Sequence, residues 1–175
     1  MVFGWFRRSA RSEIIGKLYS RLGEAARSPE LFLSLRIPDT VEGRLESLML
    51  HAFLMMRRLK ALPAPGADVA QDLVDQLFQH IDHGLRELGV GDTSVPKRMK
   101  SIGRNFYGRV QAYEAALDQG GGEPLRQALE RNIPEVDAAG LALWVEQAEA
   151  RLATLDLDAI LGDSPLFQPP EGGTT

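Results

Sequence analysis

The chain has 175 residues, no cysteine, 20 Lys and Arg against 24 Asp and Glu, and a pI near 5.4. That length is one domain with tails, large enough to bury roughly 70% of its extended surface without a staple. The absence of cysteine removes disulfides, thiolate nucleophiles and Cys-based metal sites together. The net charge of −4 is unevenly placed: residues 1–60 carry +5, residues 61–92 −5, residues 93–117 +4 and residues 118–175 −8. Blocks of alternating sign either pair within the fold or present faces of opposite charge.

Strand signals are nearly absent and helical periodicity runs throughout, so the expected fold is all-α: a single-domain bundle of about six helices. Residues 1–9 form an aromatic-basic segment, Phe3, Trp5, Phe6, Arg7 and Arg8, whose composition suits contact with an anionic membrane surface. This N-terminus lacks the apolar core of a secretory signal, and no apolar stretch reaches about 18 residues. A cytoplasmic location is therefore expected, with peripheral contact at the inner membrane. A helical domain follows over residues 10–161, and residues 162–175, rich in Pro and Gly, are expected to be disordered.

The first helix is expected over about 5–26, stopped by Ser28-Pro29. Residues 29–38 lie between two prolines and are too short to assign. The second helix, residues 39–61, opens on Asp39-Thr40-Val41-Glu42, a short oxygen-bearing cap with a carboxylate three residues on. It is apolar nearly all round, which marks a central, buried helix. Its polar seam is Arg44, His51 and Arg58. Met49, Met55 and Met56 are adaptable side chains that could meet a partner if exposed.

Asp68 is the expected cap of a third helix over 68–88. Gly84 falls inside its apolar stripe, a place for close approach of another backbone, and Gly89 supplies the left-handed C-terminal residue. His80 and His83, three apart, could share a metal. No Glu-x-x-His pattern answers them elsewhere, and a solvated face is the expectation. Gly89-Val90-Gly91-Asp92 follows a helix and lacks a Gly-Lys-Ser/Thr, so it reads as a cap and turn rather than a phosphate loop. No nucleophile elbow is present. No metal, cofactor or catalytic set is expected.

The fourth helix, 95–118, is capped by Thr93-Ser94 with Pro96 in its first turn. Val95, Met99, Ile102, Phe106, Val110, Tyr113 and Leu117 form its core seam at about 100° per residue. Lys97, Lys100 and Arg104 project opposite, with Tyr107 leaning toward them. This ridge is the candidate partner-binding surface. Arg98 and Arg109 fall on the flank of the seam, where a buried arginine must be paired. Asp82, Glu87 and Asp92 are candidate partners, so Arg98, Arg109, Asp92 and Arg86 form the expected structural clamp. Helices over 123–131 and 135–154 complete the bundle.

Ile37-Pro38-Asp39-Thr40-Val41-Glu42-Gly43-Arg44 is followed by Leu50-His51-Ala52-Phe53-Leu54 and Arg57-Arg58-Leu59. Then come Leu85-Arg86-Glu87, Gly89-Val90-Gly91-Asp92, Val95-Pro96-Lys97-Arg98-Met99-Lys100 and Phe106-Tyr107-Gly108-Arg109. In this order the motifs resemble the ubiquinol–cytochrome c chaperone family, in its alphaproteobacterial form, and the resemblance covers roughly residues 10–150. The resemblance implies an all-helical, non-enzymatic assembly factor for ubiquinol–cytochrome c reductase whose client is newly made cytochrome b. Relatives act with a small partner protein near the ribosomal exit. The implied binding surface includes Lys97, Lys100, Arg104 and Tyr107. The competing reading is an RNA- or ribosome-binding module using residues 97–107; the acidic pI argues against DNA or general nucleic-acid affinity.

Overall fold

In the computed structural model the backbone is described from residue 2 to residue 170 and side chains from residue 10 to residue 170. Among the described residues all regular structure is helical: α1 (Val2–Ala25), α2 (Pro29–Leu33), α3 (Val41–Ala61), α4 (Gly66–Glu87), α5 (Val95–Asp118), α6 (Gly122–Asn132), α7 (Ala138–Ala153) and α8 (Leu157–Leu161). The six expected helices are present. The two additions, α2 and α8, are five-residue pieces, too short to leave a periodic signal.

α3 is the axis of the fold. Every residue from Met49 to Met56 is buried, which is two full turns covered on all sides. α1, α4 and α7 pack around it, and Leu22, Phe53, Leu59, Leu73, Leu129 and Val145 are each at most 1% exposed. Each such side chain contributes about 1.5–3 kcal/mol relative to exposure. Met49, Met55 and Met56 are at most 4% exposed, so they fill the core and meet no partner.

The start of α3 shows why its sequence reads as it does. Thr40, not Asp39, is the cap: its Oγ1 accepts from the Gly43 amide at 3.0 Å. That shift of one residue frees Asp39 to accept from Arg44 Nε at 2.6 Å. The chain doubles back so tightly that a Cβ on Gly43 would lie 1.9 Å from the Pro38 carbonyl oxygen, so only glycine fits.

Other boundaries also differ from expectation. α4 begins two residues early, with Pro65 at its cap and Asp68 in its first turn, where a carboxylate complements the helix dipole. Ser94 precedes α5 but makes no side-chain cap bond. α7 begins at Ala138, because Glu135 takes a left-handed φ of 61° and Asp137 Oδ1 accepts from the Gly140 amide at 3.0 Å. Nothing lies within 4 Å of where a Cβ on Gly84 would sit, so no backbone approaches there.

Residues 162–170, expected to be disordered, instead cross the body as an extended strap. Leu166 is 4% exposed, and Trp144 Nε1 donates to the Gln168 carbonyl at 2.9 Å. The apolar and aromatic side chains at Leu166 and Phe167 outweigh the prolines around them. Residues 171–175 of that expected tail lie outside the described residues, as do the side chains of Phe3, Trp5, Phe6, Arg7 and Arg8.

At the opposite extreme stands the hairpin made by the second half of α4, the turn and the first half of α5. Burial in α4 ends at Leu77 and resumes in α5 at Phe106; between them only Val95 is buried. The hairpin therefore lies outside the deepest part of the core, with α4 packed on α1 as well as on α5.

Candidate interaction surface

α5 carries no Asp or Glu from Val95 to Tyr113. Lys97, Arg98, Lys100 and Arg104 are all exposed on it. Among the described residues none of the four makes an ion pair or a side-chain hydrogen bond, whereas Arg44, Arg57, Arg86, Arg109 and Arg126 all do. Tyr107 is 50% exposed beside them. Its ring is braced by Phe78, with centroids 6.4 Å apart and planes at 27°, and by Phe106 at 5.2 Å. A braced aromatic loses little freedom on binding.

On the side of α5 away from Lys97, Lys100 and Arg104 runs an apolar strip. Met99 and Ile102 of the α5 seam, with Ile81 and Leu85 of α4, are only half-buried, and Leu88 at the end of α4 is 67% exposed. The seam has the predicted direction. Its lower half lacks a second layer of helices, so it stays partly open.

The expected clamp is redistributed. Arg86 donates from Nε to Asp82 at 2.8 Å and from Nη1 to Asp92 at 2.5 Å, bracing the turn. Both pairs are exposed and screened by solvent, so they contribute little to stability. Arg98 is not part of the clamp: it is exposed on its flank of α5 and has no ion-pair partner among the described residues. Arg109 is partly buried and paired, but with Glu46 of α3 rather than with Asp82, Glu87 or Asp92. Burial pushes the Glu46 carboxyl up from its usual range, against the pull of the Arg109 guanidinium. Tyr113, one turn on, has a buried hydroxyl with no partner among the described residues. Its phenol is pushed above the usual range by burial and then by Glu46.

His80 and His83 hold no shared site. His80 stacks on Tyr19 with centroids 4.2 Å apart, and His83 Nε2 lies 3.2 Å from Glu87. Among the described residues no group of three His, Asp or Glu is placed to hold a metal ion, and no helix is long and apolar enough to cross a membrane.

The sequence reading missed the third histidine. His51, placed on a polar seam, is 1% exposed inside α3. Its Nδ1 is 2.8 Å from the Ser47 carbonyl, which can only accept, so Nδ1 carries the proton and Nε2 a lone pair. Trp144 and Phe167 pack on its ring at 4.9 and 4.6 Å. Its position inside the apolar run 48–56 was the available signal. Burial holds His51 near pKa 4, down from 6.5, with the Ser47 bond opposing. The unfolded chain therefore takes up a proton near pH 6.5 that the native state refuses until about pH 4. Stability present above pH 6.5 is lost as pH falls to about 4, by about 3 kcal/mol. Urea midpoints at pH 7.5 and 4.5 will show this loss, and His51→Phe will remove most of the difference.

The helical body thus presents a cationic ridge unpaired among the described residues and a half-covered apolar strip. Residues 33–167 match the ubiquinol-cytochrome C chaperone family, and the chain belongs to that family, whose members are chaperones and assembly factors rather than enzymes. The crystal structure of the Cbp3 homolog from Brucella abortus is 38% identical and superposes with a TM-score of 0.83, over 98% of this chain and 99% of that one. The ubiquinol-cytochrome c reductase complex assembly factor 1 of Mus musculus is 25% identical over 146 residues, 80% of this chain. The chain spans 48% of that curated relative's length.

Proposed function

We propose that this chain binds newly made cytochrome b while the ubiquinol–cytochrome c reductase complex is assembled, and that the α4–α5 hairpin is where the client docks. The observation that carries the reading is the pairing, on one hairpin, of four exposed cations without partners among the described residues and an apolar strip that is only half-buried. A membrane protein emerging for insertion exposes apolar segments joined by polar turns. The strip takes the apolar part, while Arg98 beside it and Lys97, Lys100 and Arg104 on the outer side of α5 take acidic or carbonyl groups. Tyr107 offers a pre-ordered ring between the two. Such a chain works beside the inner membrane on its cytoplasmic side.

The test is photo-crosslinking in cells from single positions at Lys97, Lys100 and Tyr107. Cytochrome b is expected in the crosslinked product from these positions and not from Glu130, exposed on α6. Capture of ribosomal RNA or ribosomal proteins alone would move the assignment to the ribosome. A deletion strain with a normal bc complex and a normal b-type haem spectrum would end the reading.

A further inference from the structure

The strap is held in a way that many peptides could satisfy. Its anchors are body side chains donating to its backbone carbonyls. Arg21 donates to Ser164, Arg151 to Pro165 at 2.8 Å, and Trp144 Nε1 to Gln168 at 2.9 Å. Backbone carbonyls are common to every polypeptide, so these bonds read extended chain rather than sequence. Selectivity rests on two apolar side chains: Leu166, 4% exposed, and Phe167, set edge-on to His51 and stacked on Trp144 at 6.3 Å. The strap itself has no regular structure from residue 165 to residue 170.

Two observations indicate that the strap is an imperfect occupant. His51 lines a cavity of about 90 Å³ together with Leu31, Trp144, Phe167 and Pro170. His51 is 1% exposed, and its Nε2 has no hydrogen-bond partner among the described residues. Beyond Pro170 the groove continues as an open depression of about 390 Å³. Leu33 and Leu143 line it and are 80% and 56% exposed.

We propose that this groove is a second docking site, which takes an extended apolar segment of a polypeptide partner in place of the strap. A hydrogen-bond donor on the incoming segment meets His51 Nε2, and its flanking apolar residues cover Leu33 and Leu143. The strap, tethered at an effective concentration on the order of millimolar, excludes weak ligands and yields to a segment that makes these added contacts. The inference rests on the groove alone and does not depend on cytochrome b being the client.

The test uses a fluorescein-labelled peptide, Ser-Pro-Leu-Phe-Gln-Pro-Pro, copied from residues 164–170, and fluorescence anisotropy with the full chain. In Leu166→Ser the strap is loosened, and saturable binding at least tenfold tighter than to the unaltered chain is expected. Arg151→Ala, which removes an exposed anchor and leaves the core untouched, is expected to fall between them, and serves if Leu166→Ser does not melt cooperatively. A peptide with both Leu and Phe replaced by Ser should not bind. Absence of binding to every variant, or equal binding to all three proteins, overturns the proposal.

Discussion

Replacing Lys97, Lys100 and Arg104 together by glutamate will abolish client capture while leaving the protein as stable as before. All three side chains are exposed and unpaired among the described residues, so the native state loses no buried contact. Exposed substitutions of this kind usually change stability by about 0.5 kcal/mol or less each. The field changes far more. The local balance over residues 93–117 moves from +4 to −2, which turns attraction for an acidic segment into repulsion. Reversal of a steering patch lowers association by roughly 10–1,000-fold, most strongly at low ionic strength. Crosslinked cytochrome b and assembled bc complex should fall together by at least tenfold, with an unchanged thermal midpoint. Normal assembly in that strain would remove the ridge from the client site. The Arg98→Glu change, added to the triple, should deepen the loss, because Arg98 is a fourth exposed cation on the same stretch of α5.

Removing Glu46 will have the largest effect on stability. Its carboxylate is 14% exposed and holds Arg109, itself 16% exposed, between α3 and α5. Glu46→Ala leaves a partly buried guanidinium without its counter-charge, a loss of about 3–5 kcal/mol. Arg109 Nε already lacks a partner among the described residues, so nothing nearby can replace the lost acceptor. The double change Glu46→Leu with Arg109→Met removes both charges and keeps the volume, and it should recover most of the loss. Urea unfolding of the two single variants and the double gives the coupling directly. A Glu46→Ala protein within about 1 kcal/mol of the parent would show the pair to be hydrated and peripheral.

Those two predictions meet on α5, through its outer cations and through Arg109, and they mark how far periodicity carries. The direction of each α5 side chain was legible: the seam, the outward cations and the edge position of Tyr107 are where the spacing puts them. What the spacing does not contain is the identity of the neighbour. Arg98 and Arg109 lie on similar flanks of α5, but only Arg109 is high enough along the helix to meet α3. The same limit explains Leu88, which continues the α4 stripe past the point where anything covers it. His51 was misplaced for the opposite reason. A polar residue on a helix buried on all sides has no solvent side to choose, and the aromatic cover that makes it tolerable comes from Trp144 and Phe167, more than 90 residues away in the chain. The strap was hidden because Pro and Gly around Leu166 and Phe167 mask two strong apolar anchors.

The α4–α5 hairpin divides the molecule into two tiers of cooperativity. With Val95 as its one buried side chain between Leu77 and Phe106, the segment can open at far lower free energy than the body around α3, as a separate foldon. Amide exchange should therefore show residues 80–104 losing protection together, well before Met49 to Met56. Such a tip can reshape itself around successive segments of a moving client while the rest of the molecule keeps its form, so grip and release need no global transition.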